Sequence, residues 1–183
     1  MDWDEHLTDE AKALFNQMIP KYKERLRQIK DMPVSILIWG PSPGSHSPIG
    51  QLRKDLRRIL RENGNLAMFS EELCIPGDIY SVRLQQLVQA EQYDLIISMP
   101  ESPGSIGEIH DFAADRRVNG KILVFVNEEY SSGYSAHSLV SMSCIYGIHI
   151  IQYKAEDLSV VVRESLNNVN KIKEYKYMLS GRF

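Results

Sequence analysis

Three apolar runs without alternation limit what this chain can fold into: Ile36-Leu37-Ile38, Leu95-Ile96-Ile97 and Ile122 to Val126. A strand with one wet face alternates apolar and polar residues. These runs do not, so both of their faces must be covered. Helix-like segments separate them, and that order favours a parallel sheet with helices on both sides.

The element order follows from local signals. Thr8 or Asp9 can cap a first helix running to about Ile29, interrupted by Pro20. Its apolar residues Leu14, Met18, Tyr22, Leu26 and Ile29 recur at helical spacing, and this face could serve a partner subunit. Val34 to Trp39 reads as a first strand and Pro48 to Asn63 as a helix that Gly64 ends. Leu66 to Phe69 is a second strand, followed by a helix from about Ile79 to Glu91. Asp94 to Met99 is the third strand. A helix over Ile106 to Val118 follows, stopped by Asn119-Gly120. Ile122 to Val126 and Ile148 to Tyr153 are the last strands, with a short helix near Tyr134 to Met142 between them. A closing helix runs from Ala155 to about Met178. The expected architecture is a doubly wound α/β domain whose five-stranded parallel sheet has the order 2-1-3-4-5. It spans residues 33–183, with an N-terminal helical extension over residues 1–32.

Composition excludes several classes of function. A formal net charge of −3 gives no general attraction to nucleic acid or anionic lipid. The local cluster Arg53, Lys54, Arg57, Arg58 and Arg61 reads as a solvated helix face. No apolar run approaches the roughly 20 residues that span a bilayer. The acidic start, Met1-Asp2-Trp3-Asp4-Glu5, does not resemble a secretory signal. A cytoplasmic protein with Cys74 and Cys144 reduced and mostly buried is expected. The cysteines and histidines share no ligand spacing, so neither metal nor cofactor is expected.

In an open α/β sheet of this order, ligands bind beyond the carboxyl ends of the first and third strands, where the strand order reverses. Two loops should meet there, Gly40 to Ser47 and Pro100 to Ser105. The first offers Gly40, Ser42, Ser45, His46 and Ser47. The second continues as Ser102-Pro103-Gly104-Ser105-Ile106-Gly107-Glu108. Ser105 suits an N-cap, and Glu108 then falls three residues later. That spacing fits a capping box, and it equally fits an acid poised at a ligand crevice. Asn127, after the fourth strand, is a further candidate for ligand contact. Asp94 opens its strand at the opposite end and reads as structural.

The stretch Tyr93 to Ala113 resembles the nucleoside 2-deoxyribosyltransferase family and its nucleotide N-glycosidase relatives. Those proteins carry an apolar strand, a small-residue loop, then Gly-Ser/Thr-x-x-Glu opening a helix. Here Gly104-Ser105-Ile106-Gly107-Glu108 occupies that place, and Ile36-Leu37-Ile38-Trp39-Gly40-Pro41 looks like the family's opening strand. The resemblance implies a flavodoxin-like fold and cleavage of an N-glycosidic bond, with Glu108 as the nucleophile. Ser102 stands where transferases of free nucleosides tend to have Asp. Together with Gly104 and Ser105 it would cradle a phosphate, so the implied substrate is a nucleotide. Two departures stand out. His110 occupies a position usually held by Gly, and the first loop is long and Ser-rich. Such divergent members resemble antiphage effectors and NAD-cleaving TIR domains. The resemblance also implies a homo-oligomer. A module of the same fold that senses a nucleotide without turnover is the alternative.

Overall fold

The computed structural model describes residues 7–101, 103–130 and 134–180, with residues 103, 104, 108, 130, 134–136 and 180 described by their backbone alone. Five strands form one all-parallel sheet in the order β2-β1-β3-β4-β5. They are β1 (Ser35–Trp39), β2 (Leu66–Phe69), β3 (Leu95–Ser98), β4 (Ile122–Asn127) and β5 (His149–Tyr153). In the centre, Ile36 pairs with Leu95 and Trp39 with Ser98. Six helices accompany the sheet: α1 (Asp9–Asp31), α2 (Pro48–Glu62), α3 (Val82–Gln92), α4 (Pro103–Ala113), α5 (Tyr134–Tyr146) and α6 (Ser159–Ser180).

Alternate residues of the apolar runs enter two separate cores. Ile36, Ile38, Leu95, Ile97, Leu123 and Phe125 meet Leu56 and Leu60 of α2 and Val161 and Val169 of α6. Leu37, Trp39, Ile96, Val124 and Val126 meet Ala90 of α3, Ile109, Phe112 and Ala113 of α4, and Leu139 of α5. This division explains the missing alternation: every central strand residue has a helix above or below it. Burial of each such side chain stabilises the fold by roughly 1.5–3 kcal/mol.

Side-chain hydrogen bonds fix the helix starts. Thr8, Ser47 and Ser81 cap α1, α2 and α3, each accepting from a backbone N–H three residues on. Pro20 does not divide α1, which runs unbroken through it. The largest boundary correction falls on α4, which starts at Pro103 and ends at Ala113, five residues before the expected stop. Asp115 supplies the reason for the early end. Its carboxylate accepts from the Arg117 backbone N–H at 3.0 Å and from the Arg117 guanidinium at 2.9 and 2.6 Å. Such local bonding competes with helix continuation.

Asp94 is structural, as its place at the amino end of β3 implies. Its Oδ2 accepts from the backbone N–H and the hydroxyl of Ser35, both at 2.8 Å, and from Lys176 of α6 at 2.6 Å. Partial burial pushes its pKa up, but the bonds from Lys176 and Ser35 outweigh burial and hold the carboxyl below its ordinary value. The cysteines are free but not mostly buried: Cys74 is half-buried and Cys144 is exposed. Among the described residues no helix is long and apolar enough to cross a membrane.

Candidate functional site at the carboxyl edge of strands β1 and β3

The strand order reverses between β1 and β3, so the crevice beyond their carboxyl ends is the topological switch point. Gly40 turns the chain out of β1 with φ of 153°. A Cβ there would stand 3.1 Å from the Met99 carbonyl oxygen, so the close approach of the two strand ends requires glycine. Beyond it, Ser42 to Ser45 forms a tight turn. The Ser42 carbonyl accepts from Ser45 N–H at 2.7 Å, and its hydroxyl accepts from Gly44 N–H at 3.3 Å. Ser42 and His46 are exposed on this lip.

A run of hydrogen bonds joins the two loops. The Ser45 hydroxyl donates to Ser47 Oγ at 3.0 Å, and the Ser47 hydroxyl donates to Glu101 Oε2 at 2.7 Å. The Glu101 backbone N–H then donates to Ser105 Oγ at 3.2 Å. Ser47 also accepts from Gly50 N–H at 3.0 Å as the cap of α2. The Glu101 carboxylate thus sits at the positive end of α2, where negative charge is favoured. Gly50 allows the first loop to lie on α2, because a Cβ there would meet Ser45 Cβ at 2.8 Å.

The first lip rests on a side chain that the sequence reading misassigned. Arg53 is fully buried, not part of a solvated face. It donates to the carbonyls of Ile38 and Pro41 at 2.6 and 2.5 Å, and to both carboxylate oxygens of Glu71 at 2.8 and 2.7 Å. Its guanidinium also lies 4.2 Å from the centre of the Phe69 ring. The signal was present in the sequence: Arg53 falls in the same helical row as Ile49, Leu56 and Leu60, the buried face of α2.

On the other lip, Ser102 lies outside the described residues. Gly104 and Ser105 belong to the first turn of α4. Ser105 is therefore the third residue of the helix, not its cap. Glu108 is the sixth, one turn too deep to close a capping box with Ser105. Ser105, Glu108 and Phe112 occupy one i, i+3, i+7 row of the helix. Phe112 packs against Trp39, the last residue of β1, with ring centroids 5.1 Å apart. Trp39 is 3% exposed, and its indole N–H has no hydrogen-bond partner among the described residues.

Asn127 is not brought into this group. It ends β4, on the side of β3 away from β1. Its Oδ1 accepts from Glu129 N–H at 3.1 Å, which binds the side chain into its own turn. Among the described residues no group of three or more His, Cys, Asp or Glu side chains could hold a metal ion. A cavity of about 1130 Å³ opens at the amino edge of the sheet, among Asp94, Lys121, His149 and Lys176. It is remote from the switch point and lacks any convergent set of nucleophile and base.

No family model matches the chain, and no curated protein matches it.

Proposed function

We propose that this chain cleaves the N-glycosidic bond of a nucleotide, either a nucleoside monophosphate or NAD, with Glu108 as the nucleophile. The observation that carries the reading is the position of Glu108 on the helix that leaves the switch point, in the row that packs on Trp39 through Phe112. A capping role with Ser105 no longer accounts for an acid there. The buried N–H of Trp39 at the same edge, without a partner among the described residues, adds support. An orphaned donor of this kind costs about 1–3 kcal/mol, and a polar ligand reaching it would remove that cost.

In this reading the Glu108 carboxylate attacks the anomeric carbon as the bond to the base breaks. The base leaves with the bonding pair: that of a nucleoside monophosphate takes up a proton, whereas the nicotinamide of NAD, cationic while bound, leaves neutral without one. A glycosyl ester remains, and water or a second base then displaces the carboxylate. Ser102, Gly104 and Ser105, with the first amides of α4, would hold the phosphate. Gly40, Ser42 and His46 form the facing lip.

The Ser47–Glu101 bond favours a second reading, since it ties the two lips together. A sensing module could use that tie as a latch which a nucleotide opens without turnover.

Incubation with nucleoside monophosphates and with NAD, followed by chromatography for free base, tests the enzyme reading. Base release by wild type that Glu108→Gln lowers at least about 1000-fold, with unchanged circular dichroism, is the expected result. No release from any of these nucleotides would overturn it. Tight calorimetric binding without product would select the sensor.

A further inference from the structure

We infer that α1 is the dimer contact of this protein and pairs antiparallel with α1 of a second copy. This helix is 23 residues, about 35 Å long, yet it buries no residue. Its apolar stripe faces outward: Leu14 is 58% exposed, Met18 59%, Tyr22 60% and Leu26 48%. The domain itself does not need the stripe, because α2 to α6 already cover both faces of the sheet. At its end α1 is held by Lys173 of α6, whose ammonium donates to the Lys30 carbonyl at 2.6 Å. That bond fixes the helix to the domain and leaves its stripe uncovered.

Charge selects the occupant and its direction. Within α1, residues 9–19 carry two acidic side chains and one lysine, while residues 20–31 carry five basic and two acidic. A parallel copy would set like charges side by side. An antiparallel copy sets each acidic end against a basic one, in agreement with the helix dipoles. A two-fold axis at Met18 then brings Met18 onto Met18, Leu14 onto Tyr22 and Asp9 beside Arg27. The arrangement is self-complementary, as a two-fold interface must be.

Sedimentation equilibrium of the full chain gives the first readout. A mass near twice 21.0 kDa is expected. Met18→Asp, a change at an exposed position, is expected to raise the dissociation constant about 100-fold or more, because the axis places two charges together. Helix content and melting cooperativity should stay as in wild type.

Disulfide trapping gives the direction, in a background with Cys74→Ser and Cys144→Ser. Met18→Cys should crosslink to itself. Leu14→Cys should link to Tyr22→Cys when the two variants are mixed, and not to itself. A monomeric wild type, a dimer indifferent to Met18→Asp, or self-linking of Leu14→Cys would each overturn the inference.

Discussion

Arg53 engages backbone carbonyls, a carboxylate and an aromatic face at once, and it fixes where the first lip of the crevice lies. Arg53→Met keeps apolar bulk but leaves buried carbonyls without their donor. A loss of about 2–4 kcal/mol is expected, read from urea unfolding at constant m. Arg53→Lys should cost nearly as much, because one ammonium cannot reproduce the guanidinium fork. Glu71→Gln should cost under about 1 kcal/mol, since the Glu71 side chain is 45% exposed. Gly50→Ala tests the seat of the same loop. Alanine ordinarily strengthens a helix by up to about 1 kcal/mol. Here its Cβ would meet Ser45 at 2.8 Å, so thermal melts should show destabilisation of about 1–2 kcal/mol. These roles were only half legible. The helical row Ile49, Arg53, Leu56, Leu60 is plain in the sequence, but the charges beside it at Lys54, Arg57 and Arg58 suggest a wet face. What decides the matter is Glu71, in the 3-10 turn Ser70–Glu72 after β2, whose position depends on the closed sheet.

At the scale of elements, the strands were the legible part, because a parallel sheet covered on both faces leaves an unmistakable apolar run. Right-handed crossovers narrow the topology to a few doubly wound forms, and the order expected among them, 2-1-3-4-5, is the one observed. Helix ends were less legible. Pro103 suits a first helical position, and its pull outweighs the capping pattern of Ser105 and Glu108. The candidate site inherits that three-residue shift, which takes Glu108 out of the cap. Asn127 reaches the carboxyl edge as its place after the fourth strand implies, but beyond β4 and apart from the switch point. The seam between α6 and the amino edge of the sheet yields a pH prediction. The Asp94 carboxyl is held below its ordinary value by Lys176 and Ser35 despite partial burial. Its stabilising contribution is therefore fully present above the unfolded value, near 4. It is lost as pH falls through the lower folded value. Asp94→Asn should cost about 1 kcal/mol at neutral pH. It should also flatten the decline in stability below about pH 4, as followed by chemical unfolding across pH 2–7.

For the whole molecule, a self-sufficient domain carries a helix that contributes nothing to its core. Folding and association should therefore be separable. The two cores close over the sheet without α1, so a chain beginning at Met32 should unfold as one cooperative unit. It loses the bond from Lys173 to the Lys30 carbonyl, worth about 1 kcal/mol, and the contact of α1 with α6 around Tyr177. In the full chain, pairing of α1 stabilises only the folded state. Stability should then rise with protein concentration, by about 1.4 kcal/mol per chain over a hundredfold range, half of RT ln 100. For a domain of this size that is a rise in Tm of about 3–5 °C. Differential scanning calorimetry at both ends of that range is the measurement. The full chain should show the rise, and both the shortened chain and Met18→Asp should hold a constant Tm. A rise that persists in the shortened chain would place the contact on the α/β domain instead. The helix would then be an appendage with no part in assembly.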